Sequence, residues 1–345
     1  MKIIVDAMGG DNAPESNVKG ALAALKELGV EITLVGRGEE ILRVLEAEGL
    51  KEPPQGMEIV YASEVVEICD NPATAFREKK DSSLTVGLNL LKEGKGDAFV
   101  SAGSTGALLA AATLIVKRIK GIRRAAMAPV VPTGNGGAVL IDCGATAECT
   151  PEYLLQFAFM GSFYAEHVLG RPEPRVGLLN IGAEPSKGTE LQQKTYQLLK
   201  EAGEQGRIHF TGNVEGKEAV YGQVDVIVAD GYSGNIFLKT MEGTGGFLAK
   251  ELKALFKKNL ITKLAAVLVS GGLRRFKSLL DAGEVGGTAF IGISKPVIKA
   301  HGSSDERAIK NAIRQAVKCA SSGLIEDIAE NVEYMRLSPA PHGEE

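Results

Sequence analysis

The chain has 345 residues, 44% of them hydrophobic and 24% charged, enough for a sizeable core in one large domain or two intimate ones. A formal net charge of -4 gives no global basic field for nucleic acid, so an anionic partner must be met by a local patch. Cys69, Cys143, Cys149 and Cys319 show no CxxC spacing, and His167, His209, His301 and His342 stand singly, which speaks against a disulfide framework or a metal site.

Residues 1–6 read as a short strand interrupted by an acid, where a signal peptide would need a longer apolar run. The longest apolar run, residues 107–116, falls short of the roughly 18 residues of a membrane span. The expectation is a cytoplasmic protein. Short β-branched runs follow at 3–5, 32–35, 59–61, 98–100, 139–141, 176–180, 208–210 and 224–229, each leading into a glycine-containing turn and a helical pattern. Such alternation predicts a mostly parallel sheet covered by helices on both faces, with ligands beyond the carboxyl ends of its strands. A single α/β unit, or two intertwined subdomains, is expected over 1–337, with 338–345 as a disordered tail.

Residues 247–281 break the alternation. Apolar residues at three- and four-residue steps, among them Leu248, Leu252, Leu255, Leu264 and Leu268, predict two amphipathic helices separated near Gly271 and Gly272. The stretch is also basic: Lys250, Lys253, Lys257, Lys258, Lys263, Arg274, Arg275 and Lys277 stand against Glu251 and Asp281. In an acidic protein this is a local patch suited to an acidic partner or an anionic membrane surface, although leucines at helical spacing serve a core or a dimer interface equally well.

Four loops after strands share one design. The first runs from Asp6 through Gly9 and Gly10 to Pro14, with Asp11 or Asn12 placed to cap the next helix; the second holds Ser101, Gly103, Ser104, Thr105 and Gly106. The third runs from Asp230 through Ser233 and Gly234 to Asn235, and the fourth from His301 to Glu306. Free N–H groups at helix starts, with hydroxyls beside them, suit a phosphate-sized anion. Each loop alone is equally what any tight turn selects, and for Ser303 and Glu306 a capping box accounts for both residues. No Walker loop is present, and the nearest approach to a dinucleotide fingerprint, at Gly36 and Gly38, has Ile41 where the third glycine belongs. A fifth loop, residues 180–188, offers Lys187 beside Pro185 and Gly188, either as a point charge for phosphate or as an ordinary surface lysine. Cys143 follows Asp142 at a strand end with no histidine in a recognisable relation, and reads as a small buried hydrophobe.

Taken together, the segments DAMGGD (6–11), SAGSTGAL (101–108), IGAEPSKG (181–188), GNVEG (212–216), DGYSGNIFLKTMEG (230–243) and PVIKAHGSSD (296–305) resemble the phosphate acyltransferase family of bacterial phospholipid synthesis, across nearly the whole chain. Two positions depart from the family's usual residues, Ser104 and Thr146, where asparagine is common. The resemblance implies a three-layer αβα fold of the isocitrate/isopropylmalate dehydrogenase type, shared with phosphotransacetylases, and a homodimer without a cofactor. It implies acyl transfer from acyl carrier protein to inorganic phosphate, with the acyl phosphate passing to a membrane glycerol-3-phosphate acyltransferase. Lys187 and Asn235 carry over as the catalytic pair. Asp6, Gly9, Gly10, Ser104, Thr105, Gly106, Ser233, Gly234 and His301 are then the expected phosphate or substrate contacts. Lys257, Lys258, Lys263, Leu264, Leu268, Arg274, Arg275 and Lys277 are the expected contacts to the carrier protein or the membrane.

Overall fold

The computed structural model describes residues 1–273, 276 and 286–335. Its first half contains β1 (Lys2–Asp6), α1 (Glu15–Leu28), β2 (Glu31–Gly36), α2 (Gly38–Ala47), β3 (Met57–Tyr61), α3 (Ala75–Glu78), α4 (Ser83–Lys92), β4 (Ala98–Ser101), α5 (Thr105–Ala111, continued by a π-helical turn), β5 (Ala126–Ala128), β6 (Val130–Val131), β7 (Ala138–Ile141) and α6 (Pro151–His167). The second half contains β8 (Arg175–Asn180), α7 (Glu190–Glu204), β9 (His209–Glu215), α8 (Gly216–Val220), β10 (Val226–Val228), α9 (Gly231–Lys257), α10 (Leu260–Leu268), β11 (Thr288–Ile291), β12 (Val297–Lys299), α11 (Glu306–Ser321) and α12 (Leu324–Glu330).

Most strands are apolar on both faces, which forces helices onto both sides of each sheet. In β1, Ile3 and Val5 pack with α1, α2 and α11, whereas Ile4 packs with Phe99 and the leucines of α4. The same division recurs in β7 and β10: Val139, Val226 and Val228 face α6 and α7, while Leu140 and Ile227 face Phe237, Leu238 and Met241 of α9. The result is a three-layer αβα architecture, with the strands in two sheets where a single one was expected. Sheet one has the order β3-β2-β1-β4-β12-β11-β5 and sheet two β6-β7-β10-β8-β9. Pairing is parallel except around β11 and between β6 and β7. One buried apolar cluster runs from α1 and α11 through α6 and α7, so the sheets share a core. Gly20 of α1 makes part of that packing possible, because a Cβ there would lie 2.6 Å from Ile309 of α11.

Two features place the site. First, residues 126–131 cross from sheet one to sheet two, with β5 paired to β11, β6 paired to β7 and Pro129 between them. Second, each sheet has a switch point where neighbouring strands send their helices to opposite faces. Beside the cleft it lies between β4 and β12 in sheet one, whose helices α5 and α11 take opposite faces, and between β7 and β10 in sheet two, whose helices α6 and α9 do the same; β1 reverses likewise against β4, and β8 against β10.

The basic amphipathic stretch differs from its sequence reading. Its first helix is the far part of α9, which already begins at Gly231, and the break falls at Lys258 and Asn259. Asn259 accepts a hydrogen bond from the Thr262 N–H and Thr262 Oγ1 accepts one from the Asn259 N–H, a reciprocal cap that starts α10, while Gly271 and Gly272 are helical. Arg274, Arg275, Lys277 and the tail 338–345 lie outside the described residues. The strand expected at 208–210 runs instead from His209 to Glu215 and takes in most of the GNVEG segment. Among the described residues no helix is long and apolar enough to cross a membrane.

Candidate active site

At the carboxyl edge of sheet one, three loops are stitched together. Asp6, buried at the end of β1, accepts the N–H groups of Met8 and Gly9 on Oδ1 and the Ser101 hydroxyl, 2.7 Å away, on Oδ2. Burial raises its pKa against the pull of these hydrogen bonds. Gly9 is required by close approach: a Cβ would stand 2.5 Å from Asp6 Oδ2 and 2.8 Å from the Gly103 nitrogen. Gly10, at φ +105°, passes the Gly302 carbonyl, and Asn12 donates to the carbonyls of Ser303 and Ser304. Neither Asp11 nor Asn12 caps α1, which starts after Pro14 without a side-chain cap; Asn12 is spent on joining the loops.

Sheet two repeats the device. Asp142, buried at the end of β7 with its pKa raised by burial, accepts from the N–H groups of Met127, Cys143 and Ala145 on Oδ1 and from Thr146 on Oδ2. The Thr146 carbonyl in turn accepts the Gly231 N–H, so Thr146 works here through its backbone. Asp230 caps α9 by accepting the Ser233 N–H and hydroxyl, and a Cβ on Gly234 would fall 1.9 Å from the Asp142 carbonyl oxygen. Asp305 caps α11 at Ala308, so the capping box read at Ser303 and Glu306 does not form; Ser303 Oγ lies 2.8 Å from His301 Nδ1 instead.

Between these edges lies a cleft of about 760 Å³, within the range of about 300–1,000 Å³ usual for ligand sites. Sheet one contributes Thr105, Gly106, Lys299 and His301; sheet two contributes Asn235, Lys239 and Glu242 from α9. The crossing segment supplies Met127, Pro129, Val130 and Val131, which with Leu109 and Leu238 make an apolar wall. Of the catalytic and phosphate contacts expected from sequence, Thr105, Gly106, Asn235 and His301 line the cleft together. Asp6, Gly9, Gly10, Ser233 and Gly234 stand behind it and fix the loops, and Ser104 precedes α5 with no side-chain cap. Lys187 is exposed in the loop after β8, outside the cleft lining, and pairs with no acid among the described residues. Its loop is braced by Asn213 donating to the Glu184 carbonyl and Asn180 donating to the Lys187 carbonyl. The helix after it reaches the Asp230 loop through a 3.5 Å contact from Gln192.

Sequence reasoning missed Lys239 and Lys299. Lys239 is ion-paired with Glu242 at 2.7 Å. Lys299 is only 7% exposed, and burial pushes its pKa down to about 8. The available signal was a lysine at a strand's carboxyl end between Ile298 and Ala300, directly before His301. Cys143 is 2% exposed, and burial followed by the Asp142 charge raises its thiol far above the ordinary range. Among the described residues no cluster of His, Cys, Asp or Glu could hold a metal ion.

Solved structures of the same shape define the class first. A phosphotransacetylase from Streptococcus pyogenes superposes with a TM-score of 0.63 over 93% of this chain and 94% of that one, at 20% identity. A 4-hydroxythreonine-4-phosphate dehydrogenase from Klebsiella pneumoniae superposes with 0.54 over 93% and 99%, at 14% identity. The fold is thus the phosphotransacetylase-like αβα type. The profile described as fatty acid synthesis protein matches residues 1–327. Phosphate acyltransferases are similar over nearly full length: that of Thermoanaerobacter pseudethanolicus is 48% identical over 97% of this chain and 98% of its own. That of Desulfitobacterium hafniense is 49% identical over 95% and 96%. The chain belongs to the phosphate acyltransferase family and is an acyltransferase.

Proposed function

We propose that the protein transfers a fatty acyl group from the thioester of acyl carrier protein to inorganic phosphate, giving an acyl phosphate on the way to phosphatidic acid. The cleft carries this reading, because one space of about 760 Å³ joins polar groups at Asn235, Thr105, His301 and Lys299 to an apolar wall against which an acyl chain can pack. A phosphate oxygen attacks the thioester carbonyl carbon, the carbon–sulfur bond breaks, and the electron pair leaves on sulfur. Phosphate is already anionic near neutral pH and the leaving thiol has a pKa of about 8.5, so positioning and oxyanion stabilisation remain the protein's task. Asn235 donates to the carbonyl oxygen as charge develops there. Lys187 supplies positive charge for phosphate from the loop after β8, one strand away from β10.

The carrier protein and the membrane surface meet α9 and α10. Beyond Gly245 no residue of either helix is buried, with Leu260 83% and Leu268 80% exposed, and Lys250, Lys253, Lys257, Lys258 and Lys263 lie among the apolar side chains. An exposed apolar patch of this kind marks a contact surface. It fits reversible attachment of a cytoplasmic homodimer to the inner membrane face, near the glycerol-3-phosphate acyltransferase that consumes the product.

The deciding experiment follows phosphate-dependent loss of acyl carrier protein thioester beside a short-chain coenzyme A thioester and a nicotinamide cofactor. Preference for the coenzyme A thioester would make the protein a phosphotransacetylase, hydride transfer would make it a dehydrogenase, and inertness towards all three a non-catalytic scaffold. The apolar wall favours the long-chain donor over the short one.

A further inference from the structure

The basic side chains of this cleft are not equivalent. Lys239 is exposed and satisfied by Glu242, and His301 leans on Ser303. Lys299, at the carboxyl end of β12, has Nζ donating to the carbonyls of Ala102 and Ala300, and among the described residues it pairs with no carboxylate. The nearest negative charges, Asp6 and Asp11, act on it without contact, and Asp6 has its oxygens occupied by the Met8, Gly9 and Ser101 donors. A buried ammonium is costly unless an anion compensates it, and an ammonium has three donors of which two are used. The third position belongs to the cleft, where Thr105, Thr288, Ser303 and Ser304 also stand.

We propose that Lys299 is a phosphate-binding residue, the fixed cation that holds inorganic phosphate at the inner end of the cleft while Lys187 approaches from the loop of the other sheet. This role rests on the proposed acyl transfer to phosphate and goes beyond it by adding a residue that forms part of the first sheet. Lys299 is preorganised by two carbonyls, so it binds phosphate without first losing side-chain freedom, which the exposed Lys187 must do. Its lowered pKa agrees with a charge that waits for an anion.

Two measurements on the full-length protein test this. In steady-state kinetics with acyl carrier protein thioester, Lys299→Met should raise the KM for phosphate about tenfold or more, the size of a lost charge-assisted hydrogen bond, and leave the KM for the thioester unchanged. Lys299→Arg should recover most of the loss. An unchanged phosphate KM in a folded, active Lys299→Met protein overturns the proposal. Should Lys299→Met not fold, the wild-type protein still decides: inorganic phosphate should slow acetylation of Lys299 by acetic anhydride, relative to chloride at equal ionic strength. Equal rates, or a Lys299 that the reagent never reaches, overturn it. The labelling arm needs no turnover, so a wild-type protein that makes no acyl phosphate yet protects Lys299 would sink the proposed reaction and keep the anion site.

Discussion

Asp6 at the end of β1 and Asp142 at the end of β7 are buried carboxylates that gather the N–H groups of the turn after them, one in each sheet. The two turns serve different ends. Around Asp6 the next residues are consumed by contact among three loops, and the residues reaching the cleft come from β12 and α5. Around Asp142 the turn receives the first turn of α9, packed so closely at Gly234 that Asn235 is delivered into the cleft one residue later. In both sheets the small and acidic residues nearest the strand end fix the backbone. Most groups that can touch a ligand stand one residue further on, Thr105 after Ser104 and Asn235 after Gly234, whereas β12 presents Lys299 at the strand end itself and His301 two residues later.

Rate measurements would break that division most directly. Asn235→Ala should lower turnover about 10²–10³-fold with the fold intact, as loss of one oxyanion donor does, and Lys187→Ala should fall in the same range. Near-wild-type turnover of a folded Asn235→Ala protein would remove α9 from the chemistry. Asp142→Ala should act on stability, costing about 3 kcal/mol or more in urea unfolding, because four N–H groups lose their acceptor; Asp6→Ala, with two N–H groups and a hydroxyl at stake, should cost less. Burial holds the Asp142 carboxyl above its ordinary range, so the folded state keeps a proton that the unfolded chain releases near pH 3.9. That contribution lowers stability as pH rises from there through the folded value, and Asp142→Asn should flatten the slope.

The loops were legible in the sequence because their chemistry is local: a strand, a glycine and a cap lie within about ten residues. The short β-branched strands, buried on both faces, were legible for the same reason. The partition into two sheets was not, since β5 and β6 have three and two residues around Pro129 and take their meaning from partners at β11 and β7. The helix break went to Asn259 over the glycines because a reciprocal cap stops and restarts a helix, whereas glycine only weakens one. Lys299 escaped notice because in one dimension it is a polar residue leaving a strand; its isolation from acids exists only after folding.

The α9–α10 face tests the comparison from outside the cleft, with smaller effects. Each leucine there that enters an apolar interface contributes about 1.5–3 kcal/mol, so Leu264→Ser and Leu268→Ser should each weaken binding to anionic vesicles about tenfold or more, with turnover on soluble carrier protein kept. Charge reversal at Lys257, Lys258 and Lys263 should raise the KM for carrier protein and make it less sensitive to salt. If vesicle sedimentation and carrier-protein kinetics both survive these changes, the surface is a subunit contact alone.

Cys143 should matter least of the residues beside the cleft. It follows Asp142, and its neighbourhood of Leu140, Val214, Ala219 and Ile227 is apolar. Burial and the adjacent carboxylate leave almost no thiolate at neutral pH, and Cys149 nearby is pushed up to about 11 by its own burial. A thiol held protonated is a poor nucleophile, which agrees with the proposed direct attack by phosphate. Cys143→Ala should therefore keep its kcat and lose about 1 kcal/mol of stability, the scale of one small buried group. Alkylating reagents should spare Cys143 and modify the exposed Cys69 first. A folded Cys143→Ala protein without activity, or an acyl group trapped on Cys143 by acid quench and mass spectrometry, would replace direct transfer with two successive acyl transfers and would move the reacting carbon to the carboxyl end of β7.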